Sequence, residues 1–253
     1  MPSEATRSRY PTNRLPNATM NGTPQPDAIP PRVNPFLEAD LAARYEQWYA
    51  GPGRQADLLE KRLLQRMLRR LGDVRTILEV GCGTGHFTRW MRSLKYETTG
   101  FDSSPAMLDQ ARSLDGGVYV EGDALTLPFP DRAFDVTALI TTLEFVSEPD
   151  RALAEATRVS RKGLLLGAIN RHSLLGRRYR KSGNPLWLSA RCFTPSELTA
   201  MVRRNAGRRL LSMSWRTTLW PVPWVGDLPL SWGGFIGLVA QWESTDRITA
   251  VNT

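Results

Sequence analysis

The segment 77–85, Ile-Leu-Glu-Val-Gly-Cys-Gly-Thr-Gly, constrains this chain more than any other stretch. An apolar strand carrying one acid, Glu79, leads into glycines at every second position, which are Gly81, Gly83 and Gly85. Glycine adopts backbone angles, and allows a close approach to the main chain, that a Cβ would forbid. The pattern therefore predicts a sharp strand-to-helix turn with a ligand against its backbone.

The spacing of the glycines separates the candidate ligands. A dinucleotide site has the pattern G-x-G-x-x-G, but His86 stands where its third glycine would fall. A P-loop requires Gly-Lys-Ser or Gly-Lys-Thr at its end, which the segment lacks. The pattern favours a nucleoside cofactor of another kind.

Two further acids follow predicted strands. Asp102 follows the strand 96–101, about 20 residues after the glycine loop. In nucleotide-binding proteins a carboxylate at this separation accepts hydrogen bonds from ribose hydroxyls. Asp123 lies just beyond the strand 117–121, and Leu-Pro-Phe follows it at 127–129. Each feature alone has a simpler interpretation, because glycines form turns, Asp102 precedes a helix start at Ser104, and aspartate is a common turn residue. Three such features in order, at successive strand ends, favour a cofactor site.

The motifs E-x-G-x-G-x-G and G-D-A-x-x-L-P-F resemble those of class I S-adenosylmethionine (SAM) methyltransferases. Within that class the chain is similar to methyltransferase domain type 11, the group of the ubiquinone and menaquinone C-methyltransferases, over about residues 44–170. The resemblance implies a Rossmann-like α/β fold with a doubly wound, seven-stranded sheet. Its strand order would be 3-2-1-4-5-7-6, with the last strand antiparallel and helices on both faces.

The resemblance also implies a set of cofactor contacts. Asp102 would bind the ribose, Asp123 would accept from the adenine amino group, and the Ala124 N–H would meet a ring nitrogen. Tyr45 and Tyr49 belong to a Y-x-x-W-Y segment that forms a lid in the family, although such a stripe is equally typical of core packing. The full set of expected contacts is Glu79, Gly81, Cys82, Gly83, Gly85, Asp102, Ser103, Met107, Asp123, Ala124, Thr141, Tyr45 and Tyr49.

The domain organisation follows from composition and periodicity. Residues 1–34 carry few large apolar residues and many Pro, Asn, Thr and Ser, which predicts a disordered tail. Residues 35–253 form one domain, with a helical lid over 35–72 whose second helix buries Leu59, Leu63, Leu64, Met67 and Leu71. Beyond it, strands and helices alternate as in a parallel sheet covered on both faces. Two stretches, 170–192 and 215–232, are insertions on the substrate side.

Charge and composition bear on partners. The net charge of +8 and pI near 10 suggest nucleic acid, but only four of the 33 basic residues are lysines, a skew that coding bias also produces. The basic run 177–181 is a candidate contact for an anionic substrate, an RNA or a lipid headgroup. The Trp-rich stretch 215–232 could line an apolar pocket or rest on a membrane surface, and no apolar run is long enough to span one. Two cysteines give neither a disulfide framework nor a metal site, and cytoplasm is the default location.

Methyl transfer from SAM needs alignment more than acid or base catalysis. If the acceptor carries a proton, the candidate bases are His172, which we prefer, and Glu144, both beyond the carboxyl ends of strands together with Asn170. His86, which opens the helix behind the glycines, is expected to pack near the methionine moiety or to face solvent. We predict a SAM-dependent methyltransferase for a small apolar, lipid-like or thiol acceptor. The alternatives are a tRNA-modifying methyltransferase and a SAM-binding module without turnover.

Overall fold

The computed structural model describes Phe36, residues 39–220 and residues 226–242, with backbone alone for residues 39–44 and 185. The predicted tail and Trp224 lie outside the described residues. No helix among the described residues combines the length and the apolar character that crossing a membrane requires.

The described chain contains seven strands joined into one sheet. They are β1 (Thr76–Val80), β2 (Glu97–Asp102), β3 (Tyr119–Glu121), β4 (Phe134–Ile140), β5 (Ser160–Ile169), β6 (Leu210–Thr218) and β7 (Phe235–Trp242). Their order is β3-β2-β1-β4-β5-β7-β6. Strands β1 to β5 are parallel to one another, whereas β7 is antiparallel to both β5 and β6. The predicted Rossmann-like sheet is confirmed.

Helices pack on both faces of this sheet. They are α1 (Ala39–Ala50), α2 (Arg54–Leu68), α3 (His86–Ser93), α4 (Pro105–Leu114), α5 (Pro149–Val159), α6 (Leu174–Lys181), α7 (Pro185–Ser189) and α8 (Pro195–Ala206). The stretch 170–192, predicted as an insertion, contains the short helices α6 and α7.

Local sequence fixes where several helices begin. The Ser104 hydroxyl oxygen accepts a hydrogen bond from the Met107 N–H (3.3 Å), and Pro105 occupies the first turn of α4. At α8 the Thr194 Oγ1 accepts from the Glu197 N–H (3.2 Å) while the Glu197 carboxylate accepts from the Thr194 N–H (2.8 Å). These caps satisfy N–H groups that the first helical turn leaves free.

Alternation along the strands divides the core into two layers. Leu78 packs with α5 and α8 on one face of the sheet, and Ile77 packs with α2 and α3 on the other. Strands buried on both faces are typical of parallel sheets. The chain reverses its strand order between β1 and β4, which is where open α/β sheets bind ligands.

Candidate cofactor site

The glycine loop after β1 is held against the end of β2. The N–H groups of Gly81 and Cys82 both donate to the Phe101 carbonyl oxygen, at 2.7 and 3.1 Å. Gly81 has φ +73°, and a Cβ there would lie 2.2 Å from Thr142 Cγ2. Thr142 cannot easily move aside, because its hydroxyl donates to the Val80 carbonyl oxygen (2.9 Å). Only glycine fits this turn.

The other two glycines have different surroundings. Gly85 has φ +77°, ends the loop at the start of α3, and packs so tightly that a Cβ would lie 2.5 Å from the Tyr119 hydroxyl oxygen. Gly83 has φ +53°, and a Cβ there would meet nothing within 4 Å. Gly83 therefore borders open space, whereas Gly85 serves the strand-to-helix turn.

Asp102, at the end of β2, faces this loop. Its Oδ2 accepts from the Gly83 N–H (2.8 Å) and its Oδ1 from the Ser104 N–H (2.9 Å). Burial raises the pKa of Asp102, although these N–H groups act to lower it. A carboxylate oxygen accepts more than one hydrogen bond, so Asp102 keeps acceptor capacity for a ligand.

Asp123, after β3, is exposed and shapes its own turn. Its Oδ1 accepts from the Leu125 N–H (2.9 Å), and its carbonyl oxygen accepts from the Thr126 N–H (3.0 Å). Its side chain still borders the same cavity as Asp102. A turn-forming role and a ligand-facing position thus coexist at this residue.

A cavity of about 260 Å³ joins these elements at the carboxyl ends of the strands. Every residue expected to contact the cofactor lines it except Gly85. Glu79 also lines it but is almost fully buried, and its carboxylate accepts a hydrogen bond from the Thr88 hydroxyl. Burial raises the pKa of Glu79 to about 8.

Thr141, the residue directly after β4, has an unusual backbone conformation. Its φ is +52°, which is uncommon for a β-branched residue. Its N–H donates to the Gly167 carbonyl oxygen (2.8 Å) on β5. Strained residues of this kind gather at functional sites, and Thr141 lines the cavity.

Aromatic rings form the end of the cavity beside α1. Phe36, Tyr45, Tyr49 and Phe145 make up what we call the aromatic cluster, and all four line the cavity. Ring centroids lie 4.8 Å apart for Phe36 and Phe145, 6.0 Å for Phe36 and Tyr45, and 5.5 Å for Tyr45 and Tyr49, all edge to face. Sequence reasoning missed Phe36 and Phe145, because neither belongs to a motif.

The N-terminal segment is tied to the rest of the site by polar contacts. The Ser104 hydroxyl donates to the Phe36 carbonyl oxygen (2.6 Å). Glu46 on α1 accepts from the Thr84 hydroxyl (2.5 Å) and from Arg89 Nη2 (2.7 Å). These bonds fasten α1 to the glycine loop and to α3.

His86 lines the cavity next to the glycines. Its ring stacks on Tyr49, with centroids 3.6 Å apart and planes 10° from parallel. Its Nε2 lies 2.7 Å from Asp57 Oδ1 and 2.8 Å from Lys61 Nζ, both on α2. Sequence reasoning did not foresee this network, since Asp57 and Lys61 carry no motif signal.

Neither predicted base lines the cavity. His172 is exposed, and its backbone N–H donates to Asn170 Oδ1 (3.2 Å). Asn170 is buried and donates through Nδ2 to the carbonyl oxygens of Ser231 and Gly233, at 2.7 and 2.8 Å. Glu144 is fully buried, with its Oε1 accepting from the Ile169 N–H (2.7 Å).

The described tryptophans of the stretch 215–232 lie away from the cavity lining. Trp215 lies on β6 and packs against the core, Trp220 Nε1 donates to the Thr217 carbonyl oxygen (3.3 Å), and Trp232 is 74% exposed. Phenylalanine and tyrosine rings line the cavity instead. Among the described residues, no group of three or more His, Cys, Asp or Glu is placed to hold a metal ion.

Comparison with known proteins agrees with this geometry. A family model described as "Methyltransferase domain" matches residues 78–166. Among curated proteins, a malonyl-[acyl-carrier protein] O-methyltransferase from Serratia marcescens is 39% identical over 34% of this chain and 34% of its own length. A demethylmenaquinone methyltransferase from Thermotoga maritima is 38% identical over 36% of this chain and 41% of its own length. The chain thus spans about a third of the length of the first curated relatives it matches.

A solved structure extends the likeness to most of the chain. It is a SAM-dependent methyltransferase from Thermotoga maritima, described as a possible histamine N-methyltransferase, with 30% identity and a TM-score of 0.68. The match covers 81% of this chain and 98% of that one. The chain therefore belongs to the class I SAM-dependent methyltransferases, and its cofactor is S-adenosylmethionine.

Proposed function

We propose that this protein transfers a methyl group from SAM to a small-molecule acceptor that binds beside the aromatic cluster. The single observation that supports this most is one cavity lined by the glycine loop, Asp102 and Asp123 at one end and by the aromatic cluster at the other. A nucleoside and an acceptor would then meet within a shared space.

The residues present suit the cofactor. The open space beside Gly83 leaves room for a ligand against the main chain, and Asp102 retains acceptor capacity for a ribose hydroxyl. Asp123 and the Ala124 N–H would hold the adenine, and Ser103 and Met107 would flank the nucleoside. Glu79 and His86 would border the methionine moiety, with Tyr45 and Tyr49 covering it.

The cofactor supplies an activated methyl group on a sulfonium, so the protein mainly has to align the two reactants. Aligning a near-attack pair is worth roughly 7 to 11 kcal/mol. Thr141 and Thr142 follow β4 and line the cavity, and the aromatic cluster would exclude water from the side next to α1. These residues would orient the acceptor.

The relatives' names do not select the acceptor, because one is an O-methyltransferase and another is described as a possible N-methyltransferase. The predicted lipid-like or thiol acceptor rested on a tryptophan-lined pocket, and the rings at the cavity are phenylalanine and tyrosine instead. A small acceptor with an aromatic or aliphatic body fits this lining.

Calorimetry with SAM and S-adenosylhomocysteine tests the cofactor role, with NADH and ATP as controls. We expect heat of binding with the first two ligands alone. Release of S-adenosylhomocysteine across amines, thiols, phenols, fatty acids and tRNA then tests turnover. Binding of NADH without SAM would contradict the proposal, and tight SAM binding without any turnover would favour a binding module.

A tRNA substrate is the second candidate, supported by the surface of α6. Arg177, Arg178 and Lys181 are exposed there, and none of them forms an ion pair within the described part of the chain. Phosphate contacts by such residues would make binding weaken steeply with salt. Labelled tRNA that fails to bind at low salt would eliminate this candidate.

A further inference from the structure

The stretch 170–192 concentrates the positive charge of the chain. It holds six of the 33 basic residues and no acid, so it supplies six of the eight net positive charges. Arg171 is paired with Glu197 at 2.6 Å. The other five are exposed and form no ion pair within the described part of the chain; they are Arg177, Arg178, Arg180, Lys181 and Arg191. Such a surface attracts an anionic partner.

One side of α6 combines these charges with an apolar residue. Exposed residues recur along the helix at the spacing i, i+3, i+4 and i+7, which places them on one side of it. They are Leu174, Arg177, Arg178 and Lys181. The opposite side is turned inward, where Leu175 and Tyr179 pack against the core layer of α2 and α3. The outward side is therefore apolar at its beginning and basic along the rest.

The loop around Trp232 is bonded to the start of α6. The Asn170 side chain donates to the carbonyl oxygens of both residues that flank Trp232, at 2.7 and 2.8 Å. The Asn170 carbonyl oxygen accepts from the hydroxyl of Ser173 (2.7 Å), which is the N-cap of α6. Leu174, the next residue, and Trp232 are both more than half exposed. Asn170 thus holds the loop of one exposed apolar side chain at the helix end that carries the other.

The inner side of the same stretch reaches the wall of the cavity. The ring of Tyr179 on α6 stacks on Trp187 of α7, with centroids 4.0 Å apart and planes 6° from parallel. The ring centroid of Trp187 lies 6.0 Å from that of Phe145 in the aromatic cluster. The helices that present the basic residues to solvent therefore also support the aromatic end of the cavity.

Bases and exposed apolar side chains together favour one partner. The headgroups of an anionic bilayer attract arginine and lysine, and its interfacial region accommodates leucine and tryptophan. RNA phosphates would also pair with the bases, but they would leave Leu174 in water. We propose that a basic-apolar patch, consisting of Leu174, Arg177, Arg178, Lys181 and Trp232, binds the surface of an anionic lipid bilayer. This binding needs no SAM and is independent of the proposed methyl transfer.

Cosedimentation with vesicles tests the patch. The vesicles are phosphatidylcholine alone and phosphatidylcholine with about one third phosphatidylglycerol. We expect the protein to sediment with the anionic vesicles, to bind the neutral ones at least about tenfold more weakly, and to dissociate as salt rises. Failure to bind anionic vesicles, or equal binding to both kinds, overturns the proposal. SAM binding is measured separately, so either failure leaves methyl transfer untouched.

Two pairs of substitutions test the charges. Arg177→Gln with Arg178→Gln should weaken binding to anionic vesicles about thirtyfold, because each base near such a surface contributes to binding. The control is Arg203→Gln with Arg208→Gln, which removes as much charge at the end of α8. Those arginines are exposed, and α8 packs in the other core layer. The control should bind within about twofold of the unaltered protein. Equal losses in the two pairs would indicate attraction by net charge alone and overturn the proposal.

A third pair tests the apolar part. Leu174→Gln with Trp232→Gln leaves the charge unchanged and should weaken vesicle binding about tenfold, with SAM affinity kept within about twofold in all three pairs. Vesicle binding unchanged by this pair overturns the proposal.

Other occupants of the patch are distinguished with the same variants. Labelled tRNA and polyglutamate are the probes for RNA and for an acidic protein, and sedimentation velocity detects a second copy of the chain. A complex with either probe that requires Arg177 and Arg178, found without vesicle binding, overturns the proposal. A dimer that Leu174→Gln with Trp232→Gln dissociates, found without vesicle binding, does the same.

Discussion

The two ends of the cavity are built by different means. The end with the glycine loop and Asp102 is made mainly by backbone, and the Asp102 oxygens accept N–H groups within it. The aromatic cluster is made by side chains from Phe36, α1 and the loop after β4. A site built by backbone keeps its shape when side chains are replaced, whereas a site built by side chains changes with each replacement.

Replacing Gly81 should give the largest effect and test how rigid the backbone-built end is. In Gly81→Ala the Cβ meets Thr142 and φ stays positive, so we expect a loss of about 3 kcal/mol in the free energy of unfolding. Gly83→Ala has open space around its Cβ and should cost about 1 kcal/mol of stability while weakening SAM binding. Urea unfolding and calorimetry measure the two quantities, and equal stability losses would contradict the distinction.

Asp102 tests whether this end holds the ribose. We expect Asp102→Ala to weaken SAM binding by about 1–3 kcal/mol, through the loss of charge-assisted hydrogen bonds. Because Asp102 also binds the Gly83 and Ser104 N–H groups, stability should be measured in parallel, with Asp109→Ala on the exposed face of α4 as the control. Unchanged SAM affinity in a folded protein would mean that the ribose lies elsewhere.

Two buried carboxyl groups should make the stability of the free protein depend on pH in opposite directions. At the far end of β4, burial acts to raise the pKa of Asp135, but hydrogen bonds from Arg161 and from the Arg75 and Thr76 N–H groups lower it from 3.8 to about 2. The contribution of Asp135 to the free energy of unfolding, about 1–2 kcal/mol, is present above pH 4 and is lost as pH falls towards 2. Thermal unfolding of Asp135→Asn should lack this acid loss.

Glu60, a buried residue of α2, should behave the other way. Burial raises its pKa from 4.5 to about 8, so folding favours its neutral form. The contribution of Glu60 to the free energy of unfolding is fully present below pH 4.5 and is lost as pH rises towards 8. Glu60→Gln should therefore flatten the decline in melting temperature between pH 5 and 8 and leave the acid side unchanged. A decline identical to that of the unaltered protein would contradict the assignment.

The smallest effect should come from the tie between α1 and the glycine loop. Glu46→Ala removes the acceptor for Thr84 and Arg89, and we expect SAM affinity to fall by about 0.5–1 kcal/mol because α1 covers the site less well. Gln47→Ala, on the exposed side of the same helix, is the matched control. Equal affinities of the two variants in calorimetry would show that this tie does not affect the cofactor.

The contrast between the two ends also explains which parts of the fold and of the site could be predicted from the sequence. The sheet order and the glycine loop were predictable, because strand periodicity and glycine spacing are local signals that the fold preserves. Asp102 and Asp123 were found by their positions after strands, and both line the cavity.

The aromatic end could not be found in this way. Phe36 and Phe145 meet only after folding, and Glu60 appears in the sequence as one polar residue of an amphipathic helix. The buried face predicted for that helix was mostly right, but Leu59 is only half-buried while Asp57 and Glu60 are buried. Asp57 is inside because it is bonded to His86 and Lys61, which helical periodicity does not reveal.

The fastening of α1 and Phe36 has a kinetic consequence. A nucleoside bound beneath them would leave past this segment only after the Ser104 bond to the Phe36 carbonyl, or the Glu46 bonds to Thr84 and Arg89, had opened. Such openings commonly set the turnover number of an enzyme. Rapid-mixing kinetics should therefore show a burst of one turnover. A slower steady-state rate, limited by release of the demethylated cofactor, should follow it.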